Sequence, residues 1–165
     1  MEDLTHLDRA GRPRMVEVGR KPETAREATA RGEVRMRPET LARIQAGQVA
    51  KGDVLAVAQL AGIQAAKRTW EIVPLCHQIP LTGVEMEFRM DEARSCVEIR
   101  ATARAHARTG VEMEALVAVM AAALAIYDMC KAIDREIAIT DVWLERKTGG
   151  RSGTFVRASS QPEGW

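Results

Sequence analysis

Two neighbouring runs of alternating apolar and polar residues constrain the fold of this chain most strongly. In residues 84–90, Val, Met, Phe and Met alternate with two glutamates and an arginine, and residues 97–104 repeat the alternation. Successive side chains of a β-strand point to opposite faces of a sheet, so each run predicts a strand with one buried face. The polar residues 91–95 fit the turn between them, which predicts an antiparallel hairpin.

A long apolar helix is predicted after the hairpin, from residue 111 to about residue 136, and its segment 111–127 is apolar nearly all round. Further elements are predicted on both sides. They are a short strand at 15–18, a strand at 24–36, a short helix from Pro38, a helix at 54–70 and a last strand at 137–146.

This order predicts an α+β fold of the ferredoxin-like β-α-β-β-α-β type, with an antiparallel sheet and helices on one face. We expect one domain at 15–157, flanked by mobile segments at 1–14 and 158–165. The opposite sheet face or the apolar helix surfaces would need cover, which favours self-association.

The composition argues against several function classes. The 24 basic and 23 acidic residues give a net charge of +1, which offers no global attraction to nucleic acid or to an anionic membrane. The longest uncharged apolar run, 115–127, is shorter than the roughly 20 residues of a membrane-spanning helix, and the start of the chain lacks a signal-peptide pattern. A cytoplasmic protein is expected.

The three cysteines are odd in number and widely spaced, at Cys76, Cys96 and Cys130. A disulfide framework or a structural zinc site is therefore not expected, and the cysteines are interpreted as reduced thiols.

Asp128 and Lys131 stand out on the long helix, because they continue a stripe of apolar residues at three- and four-residue steps: Met113, Val117, Met120 and Leu124. Charge in an apolar setting is costly unless it is compensated. One interpretation is an intrahelical ion pair where the helix leaves the core. The other is a proton-transfer pair, with the pKa of a lysine lowered by burial.

Three more groups of polar residues are candidates. Glu112 and Glu114 either complement the dipole at the start of the long helix or bind the N–H edge of a heterocycle. Cys76 and His77 lie in a loop bracketed by prolines, where His77 is interpreted as a hydrogen-bonding or acid-base residue. Basic residues at turns suit a polyphosphate, and the glycines at 149–150 would allow backbone N–H groups to approach it.

Six segments in this order closely resemble the molybdenum cofactor biosynthesis protein C family, whose members are cyclic pyranopterin monophosphate synthases. The segments are Lys-Gly-Asp at 51–53, Ala-Gly-Ile-Gln-Ala-Ala-Lys-Arg-Thr-Trp at 61–70, Pro-Leu-Cys-His at 74–77, Thr-Gly-Val-Glu-Met-Glu-Ala-Leu at 109–116, Ile-Tyr-Asp-Met-Cys-Lys-Ala at 126–132 and Lys-Thr-Gly-Gly-Arg-Ser-Gly at 147–153.

The resemblance implies an enzyme that rearranges a cyclised dihydro-GTP to cyclic pyranopterin monophosphate and releases pyrophosphate, a phosphorus-oxygen lyase reaction. It implies a functional link to a radical SAM GTP cyclase, and a homohexamer built as a trimer of dimers with active sites between subunits. No cofactor is implied. Magnesium is compatible with the sequence but not required by it.

The resemblance also assigns residues. It implies that Asp128, Lys131 and Lys51 are catalytic. It implies substrate binding by Leu75, Cys76, His77, Met113, Glu114, Glu112, Lys21, Arg26 and Lys147, with the last three placed at the triphosphate.

The chain departs from the family at two positions: Gln78 follows His77 where proline is common, and Arg151 replaces another common basic residue.

Two other function classes fit the sequence less well. A ferredoxin-like RNA-binding module is disfavoured, because the strands lack its aromatic pattern and the net charge is near zero. A phosphotransferase is disfavoured, though not excluded, because the glycine-rich segment is not a Walker A loop.

Overall fold

The computed structural model of the protein describes residues 7, 8 and 10–158. Within these residues it contains five strands and four helices. In chain order they are β1 (Thr24–Arg35), α1 (Pro38–Gln45), α2 (Val54–Ala66), α3 (Thr69–Ile72), β2 (Leu81–Asp91), β3 (Cys96–Ala107), α4 (Glu112–Cys130), β4 (Ala138–Thr148) and β5 (Phe155–Val156).

The strands form one antiparallel sheet in the order β2-β3-β1-β4-β5. The predicted hairpin is present, with Phe88 opposite Ile99, and β1 lies in the middle, with Ala30 opposite Ala101 on β3. The first four strands have the spatial order of a ferredoxin-like fold, which confirms the predicted fold class. The two-residue β5 extends the sheet beyond β4.

Helices α2 and α4 cover one face of the sheet and enclose the core. The inward side chains of β1 and β3 are mostly small, such as Ala30, Ala101 and Ala103, so the helices lie close to the sheet. Helix α2 also approaches α4 closely at Gly62, where a methyl group would stand 2.9 Å from the carbonyl oxygen of Ala118. The apolar character of α4 is thus largely explained by contacts on several sides.

The other face of the sheet carries a network of ion pairs instead of helices. Arg94 binds Glu33 and Glu98, and Glu98 also binds Arg89. Arg104 binds both Glu27 and Glu85. The alternation that places alanine and isoleucine in the core therefore places mutually compensating charges on the opposite face of the sheet, where Glu33 and Glu98 are buried among their partners.

Helix α4 is long and apolar enough to span a membrane, and it is the one such helix in the described part of the chain. Half of its apolar stretch is buried inside the fold. Its length and composition are those of a helix at the centre of a core, where α4 packs on α2, β1 and β3.

Several predicted boundaries are wrong. Residues 15–18, all described, lie outside any strand, because the carbonyl of Val16 is bonded to His77 and that of Val18 closes a turn with Lys21. Helix α4 ends at Cys130 rather than near residue 136, because the following residues form a turn that binds α1. The helix predicted at 54–70 is divided into α2 and α3.

The predicted domain limits stay a prediction. The expected mobile segments at 1–14 and 158–165 fall largely on residues 1–6, 9 and 159–165, which lie outside the described residues.

Candidate active site

Asp128 lies between two lysines at the end of α4. Its Oδ1 is 2.7 Å from Lys131 Nζ, and its Oδ2 is 2.8 Å from Lys51 Nζ. Lys51 comes from the loop between α1 and α2 and also donates a hydrogen bond of 2.8 Å to the backbone carbonyl of Asp128. The structure thus brings the three predicted catalytic residues together within one chain, in what we call the Asp-Lys cluster (Lys51, Asp128, Lys131).

The Asp-Lys cluster is exposed, which differs from the expectation of charge in an apolar setting. About half of each side chain is accessible, 57% for Asp128 and 52% for Lys131. Hydrogen bonds from Lys131 and then Lys51 lower the pKa of Asp128 to about 2. The same contact with Asp128 raises the pKa of Lys131. Of the two interpretations, the single chain therefore shows the intrahelical ion pair at the end of α4, and not a lysine whose pKa is lowered by burial.

The stripe that leads along α4 to the cluster also faces outward. Met113, Met120 and Leu124 are all exposed, and Leu124 is 57% accessible. The sequence predicted correctly that these residues share a line with Asp128 and Lys131, but the core lies on the other side of the helix.

A second group of predicted residues lines a cavity of about 320 Å³ at the opposite end of α4. We call it the Glu114 cavity. It collects seven of the predicted substrate contacts: Lys21, Leu75, Cys76, His77, Glu112, Met113 and Glu114. Val16, Val18, Ile79, Thr109 and Gly110 complete the lining.

Glu114 is the most unusual polar group of this cavity. It is only 3% exposed, and its Oε2 atom is buried without a hydrogen-bond partner among the described residues. Burial raises the pKa of its carboxyl group to about 7, and the nearby charge of Glu112 acts in the same direction. An unpaired carboxyl group near its pKa is able to accept or donate a hydrogen bond to a ligand.

The loop before β2 brings Cys76 and His77 to the same cavity. Nε2 of His77 is 2.8 Å from the carbonyl oxygen of Val16. Because a carbonyl only accepts, this nitrogen carries the proton, and Nδ1 of the neutral ring is an acceptor. Burial, followed by the charge of Glu114, raises the pKa of Cys76, which disfavours the reactive thiolate.

Arg26 and Lys147 line a neighbouring cavity of about 680 Å³, which we call the cationic cavity. Lys21 and Glu112 border both cavities, so the two adjoin. The glycines at 149 and 150 have φ angles of +92° and +75°, and a methyl group on Gly150 would collide with the guanidinium of Arg26. These glycines let the β4–β5 turn fold against Arg26, whose Nε donates to the carbonyl of Ala107 at 3.2 Å.

The sequence did not identify Arg108, which also lines the cationic cavity. Its Nε lies 3.5 Å from a carboxylate oxygen of Glu23. The available signal was a basic residue directly after a strand, four positions before the start of α4. Arg151 lines this cavity as well, whereas Gln78 faces a different groove beside α2 and α3.

One chain does not bring all the predicted residues together. Glu114 and Asp128 are fourteen positions apart on α4, which corresponds to about 21 Å along the helix. The two cavities lie at its first turn and the Asp-Lys cluster at its last. Among residues 7, 8 and 10–158, no group of three or more His, Cys, Asp or Glu side chains is placed to hold a metal ion.

Comparison with known proteins assigns the chain to a family. Residues 15–150 match the model of the MoaC family. The chain is 64% identical to a protein of Roseiflexus sp. (strain RS-1) over 94% of the chain and 99% of that relative. It is 60% identical to a protein of Pelotomaculum thermopropionicum over 98% of the chain and 95% of that relative. Both relatives are named cyclic pyranopterin monophosphate synthase. By the extent of these matches, the chain belongs to the MoaC family.

Proposed function

We propose that this protein is a cyclic pyranopterin monophosphate synthase of molybdenum cofactor biosynthesis. It converts cyclised dihydro-GTP to cyclic pyranopterin monophosphate and pyrophosphate. The observation that carries the proposal is the Asp-Lys cluster, in which one carboxylate is held between two ammonium groups at 2.7 and 2.8 Å. Relatives with this name, 55–64% identical over nearly their full length, support it.

Proton transfer is the task of the Asp-Lys cluster in this proposal. Rearranging the purine-derived ring into a pyranopterin requires protons to be added and removed at several atoms, without net oxidation. Asp128 remains ionised through the neutral range and holds both ammonium groups in place. A lysine that gives its proton to the substrate can recover it, which is general acid-base chemistry.

The cavities at the other end of α4 bind the substrate. The cationic cavity takes the triphosphate with Lys21, Arg26 and Lys147. A sugar hydroxyl then attacks the α-phosphorus, the bond to the leaving oxygen breaks, and the proton of the hydroxyl passes to the departing pyrophosphate, whose remaining charge is stabilised by these cations. The Glu114 cavity takes the heterocycle, with the carboxyl group of Glu114 and the ring of His77 as hydrogen-bonding partners.

No redox cofactor enters this reaction, because the ring rearrangement and the phosphate closure are both redox-neutral. The cations of the cavity carry the charge stabilisation that magnesium often supplies in phosphate chemistry. Turnover is therefore expected to persist in EDTA, measured as pyrophosphate release.

We further propose that each active site combines two chains. The Asp-Lys cluster and the Glu114 cavity lie at opposite ends of α4, and an exposed apolar stripe of Met113, Met120 and Leu124 runs between them. This apolar surface needs cover. If a second copy packs its α4 antiparallel on this stripe, the Glu114 cavity of the second copy faces the Asp-Lys cluster of the first chain. The twofold symmetry of the dimer then creates a second, equivalent site. Three such dimers make the hexamer. We place the protein in the cytoplasm, linked functionally to a radical SAM GTP cyclase that supplies the substrate.

Mixing inactive variants tests the two-chain site. Asp128→Ala removes the carboxylate of the Asp-Lys cluster, and His77→Ala removes a hydrogen-bonding side chain of the Glu114 cavity. After unfolding and refolding together, an equal mixture is expected to recover about a quarter of wild-type activity, since half of the dimers then hold one intact site. A mixture of Lys51→Ala and Lys131→Ala is the matched control and stays inactive, because both lysines belong to one cluster. Absence of recovery in the first mixture, with mixed oligomers demonstrated, would contradict the two-chain site.

The activity itself is tested with purified cyclised dihydro-GTP. Incubation with the protein alone is expected to give one pyrophosphate for each pyranopterin formed, measured by chromatography and a coupled phosphate assay. Failure of the folded protein to consume this substrate would refute the proposed function.

A further inference from the structure

Asp134 is a buried carboxylate that binds the start of helix α1. It is 2% exposed. Its Oδ2 accepts hydrogen bonds from the backbone N–H of Arg37 at 2.9 Å and from the hydroxyl of Thr40 at 3.2 Å. Its Oδ1 accepts one from the backbone N–H of Glu136 at 3.0 Å. All of these donors except Glu136 lie more than ninety residues earlier in the chain.

This carboxylate replaces a local helix cap. Helix α1 has Arg37 at its N-cap position, and the side chain of Arg37 makes no capping hydrogen bond within the described part of the chain. Burial acts to raise the pKa of Asp134, but the backbone hydrogen bonds from Arg37 and Glu136 and the hydroxyl of Thr40 lower it overall. An ionised carboxylate at this position also complements the dipole of α1.

Asp134 joins the two segments of the chain that carry the Asp-Lys cluster. Three residues before it is Lys131, and a tight turn connects them, in which the carbonyl of Cys130 accepts from the N–H groups of Ile133 and Asp134 at 2.8 and 3.0 Å. On the other side, α1 continues through the loop 46–50 to Lys51. The segment from Arg37 to Lys51 is therefore attached to the end of α4 by Asp134 at its beginning and by Asp128 at its end.

We propose that Asp134 is a positioning residue of the active site, which holds α1 against the end of α4 so that Lys51 reaches the carboxylate of Asp128. The inference rests on the proposed function, because it assigns a catalytic purpose to this contact. The alternative is a purely structural cap. The buried side chains Leu41, Ile44 and Val49 also anchor this segment, and under the alternative they are sufficient to place Lys51.

The test measures kcat, KM and the pKa of the Asp128 carboxyl group in Asp134→Ala, in Asp134→Asn and in the wild type. The pKa is measured by carbon NMR of protein that contains ¹³C-labelled aspartate. We expect kcat to fall by about 10- to 100-fold in Asp134→Ala, the range produced by small misplacements of catalytic groups, with little change in KM. Asp134→Asn keeps an acceptor for Arg37 and Thr40 and should recover part of the loss.

The NMR measurement separates positioning from stability. Because both lysines lower the pKa of Asp128, Lys51→Ala is expected to raise it, while Lys131 should still keep it below the ordinary value. If Asp134 positions Lys51, the Asp134 variants should also raise the pKa of Asp128. Val97→Ala, a substitution in the core on β3, is the control for stability. When each variant is measured at the same interval below its own thermal midpoint, Val97→Ala should leave the pKa of Asp128 unchanged. Should Asp134→Ala not fold, Asp134→Asn and Thr40→Val are measured in its place.

An unchanged pKa of Asp128 in folded Asp134 or Thr40 variants would overturn the inference, whether or not kcat falls. A shifted pKa with unaltered turnover would instead show that Asp134 positions Lys51 while the cluster is not catalytic. That result would count against the proposed function alone, so the two failures are distinguishable.

Discussion

The two ends of helix α4 hold charged groups in opposite ways. At the last turn, Asp128 is exposed, bound to two lysines and strongly acidic. At the first turn, Glu114 is buried, has one oxygen without a partner and keeps its proton up to about pH 7. The exposed carboxylate is compensated, whereas the buried one is not.

This difference supports the proposed assignment of substrate groups to the two ends. The charges of the Asp-Lys cluster are paired and exposed to water, so the cluster costs little free energy in the absence of a ligand. A buried carboxyl group without a partner is maintained at a cost in stability, which a ligand with N–H donors would offset. Under the proposed function, the heterocycle is therefore expected at the first turn of α4 and proton transfer at the last.

The largest expected effect is the loss of turnover at the compensated end. Asp128→Asn keeps the size of the side chain but removes the charge that holds Lys51 and Lys131. We expect kcat to fall by about 10³-fold, within the range of general acid-base contributions, as measured by pyrophosphate release. Asp141→Asn is the control, since Asp141 is also an exposed carboxylate in an ion pair, with Arg35. Near-wild-type turnover of a folded Asp128→Asn protein would remove the cluster from the mechanism.

A smaller effect, on KM, is expected in the cationic cavity, which lies at the first turn of α4 beside the Glu114 cavity. In Gly150→Ala, the new methyl group displaces the guanidinium of Arg26, so we expect KM to rise by about tenfold, equivalent to one charge-assisted contact with phosphate. Gly153→Ala provides the control. Gly153 also has a positive φ, +65°, but its methyl group would meet open space. Equal effects of both substitutions on KM would mean that backbone strain, not Arg26, is responsible.

Glu114→Gln tests the cost of the buried carboxyl group. Because the folded-state pKa of Glu114 is about 7 and the ordinary pKa of a glutamate is 4.5, the folded protein binds the extra proton between these limits. Its stability therefore falls as pH rises through this window, by about 3 kcal/mol in all. Glu114→Gln should lack this loss, so its advantage in denaturant unfolding grows from about pH 4 to about pH 8.

Glu39→Gln, on the exposed first turn of α1, is the matched control and should follow the wild type. If Glu114→Gln shows the same pH dependence as the wild type, the carboxyl group is ionised and paired in solution.

The smallest effect is expected for the stability of Asp128→Asn. The lowered pKa of Asp128 contributes stability above its ordinary pKa, and this is lost only as pH falls toward about 2. Since the group is exposed, solvent screens its ion pairs, and we expect no resolvable change in thermal midpoint near neutral pH. A clear loss of stability there would indicate that the cluster is buried in the assembled protein.

Periodicity in the sequence was sufficient for the fold class and for most elements. The alternation at 84–90 and 97–104 located β2 and β3, and the apolar run after residue 110 located α4. The ends of elements were less predictable. Helix α4 stops at Cys130 because the turn after it is bound to α1 through Asp134, a contact between residues ninety-seven positions apart. Local sequence carries no signal for such a contact.

The sequence by itself determined the sheet, the helix that spans it and the line on which Met113, Leu124, Asp128 and Lys131 lie, because these follow from local repeats of two and of 3.6 residues. Only the tertiary structure decided that this line faces outward, that Lys51 reaches Asp128 and that Glu114 is buried without a partner. Each of these depends on how distant segments pack, and burial and long-range pairing set the electrostatics of a side chain more strongly than its neighbours in sequence.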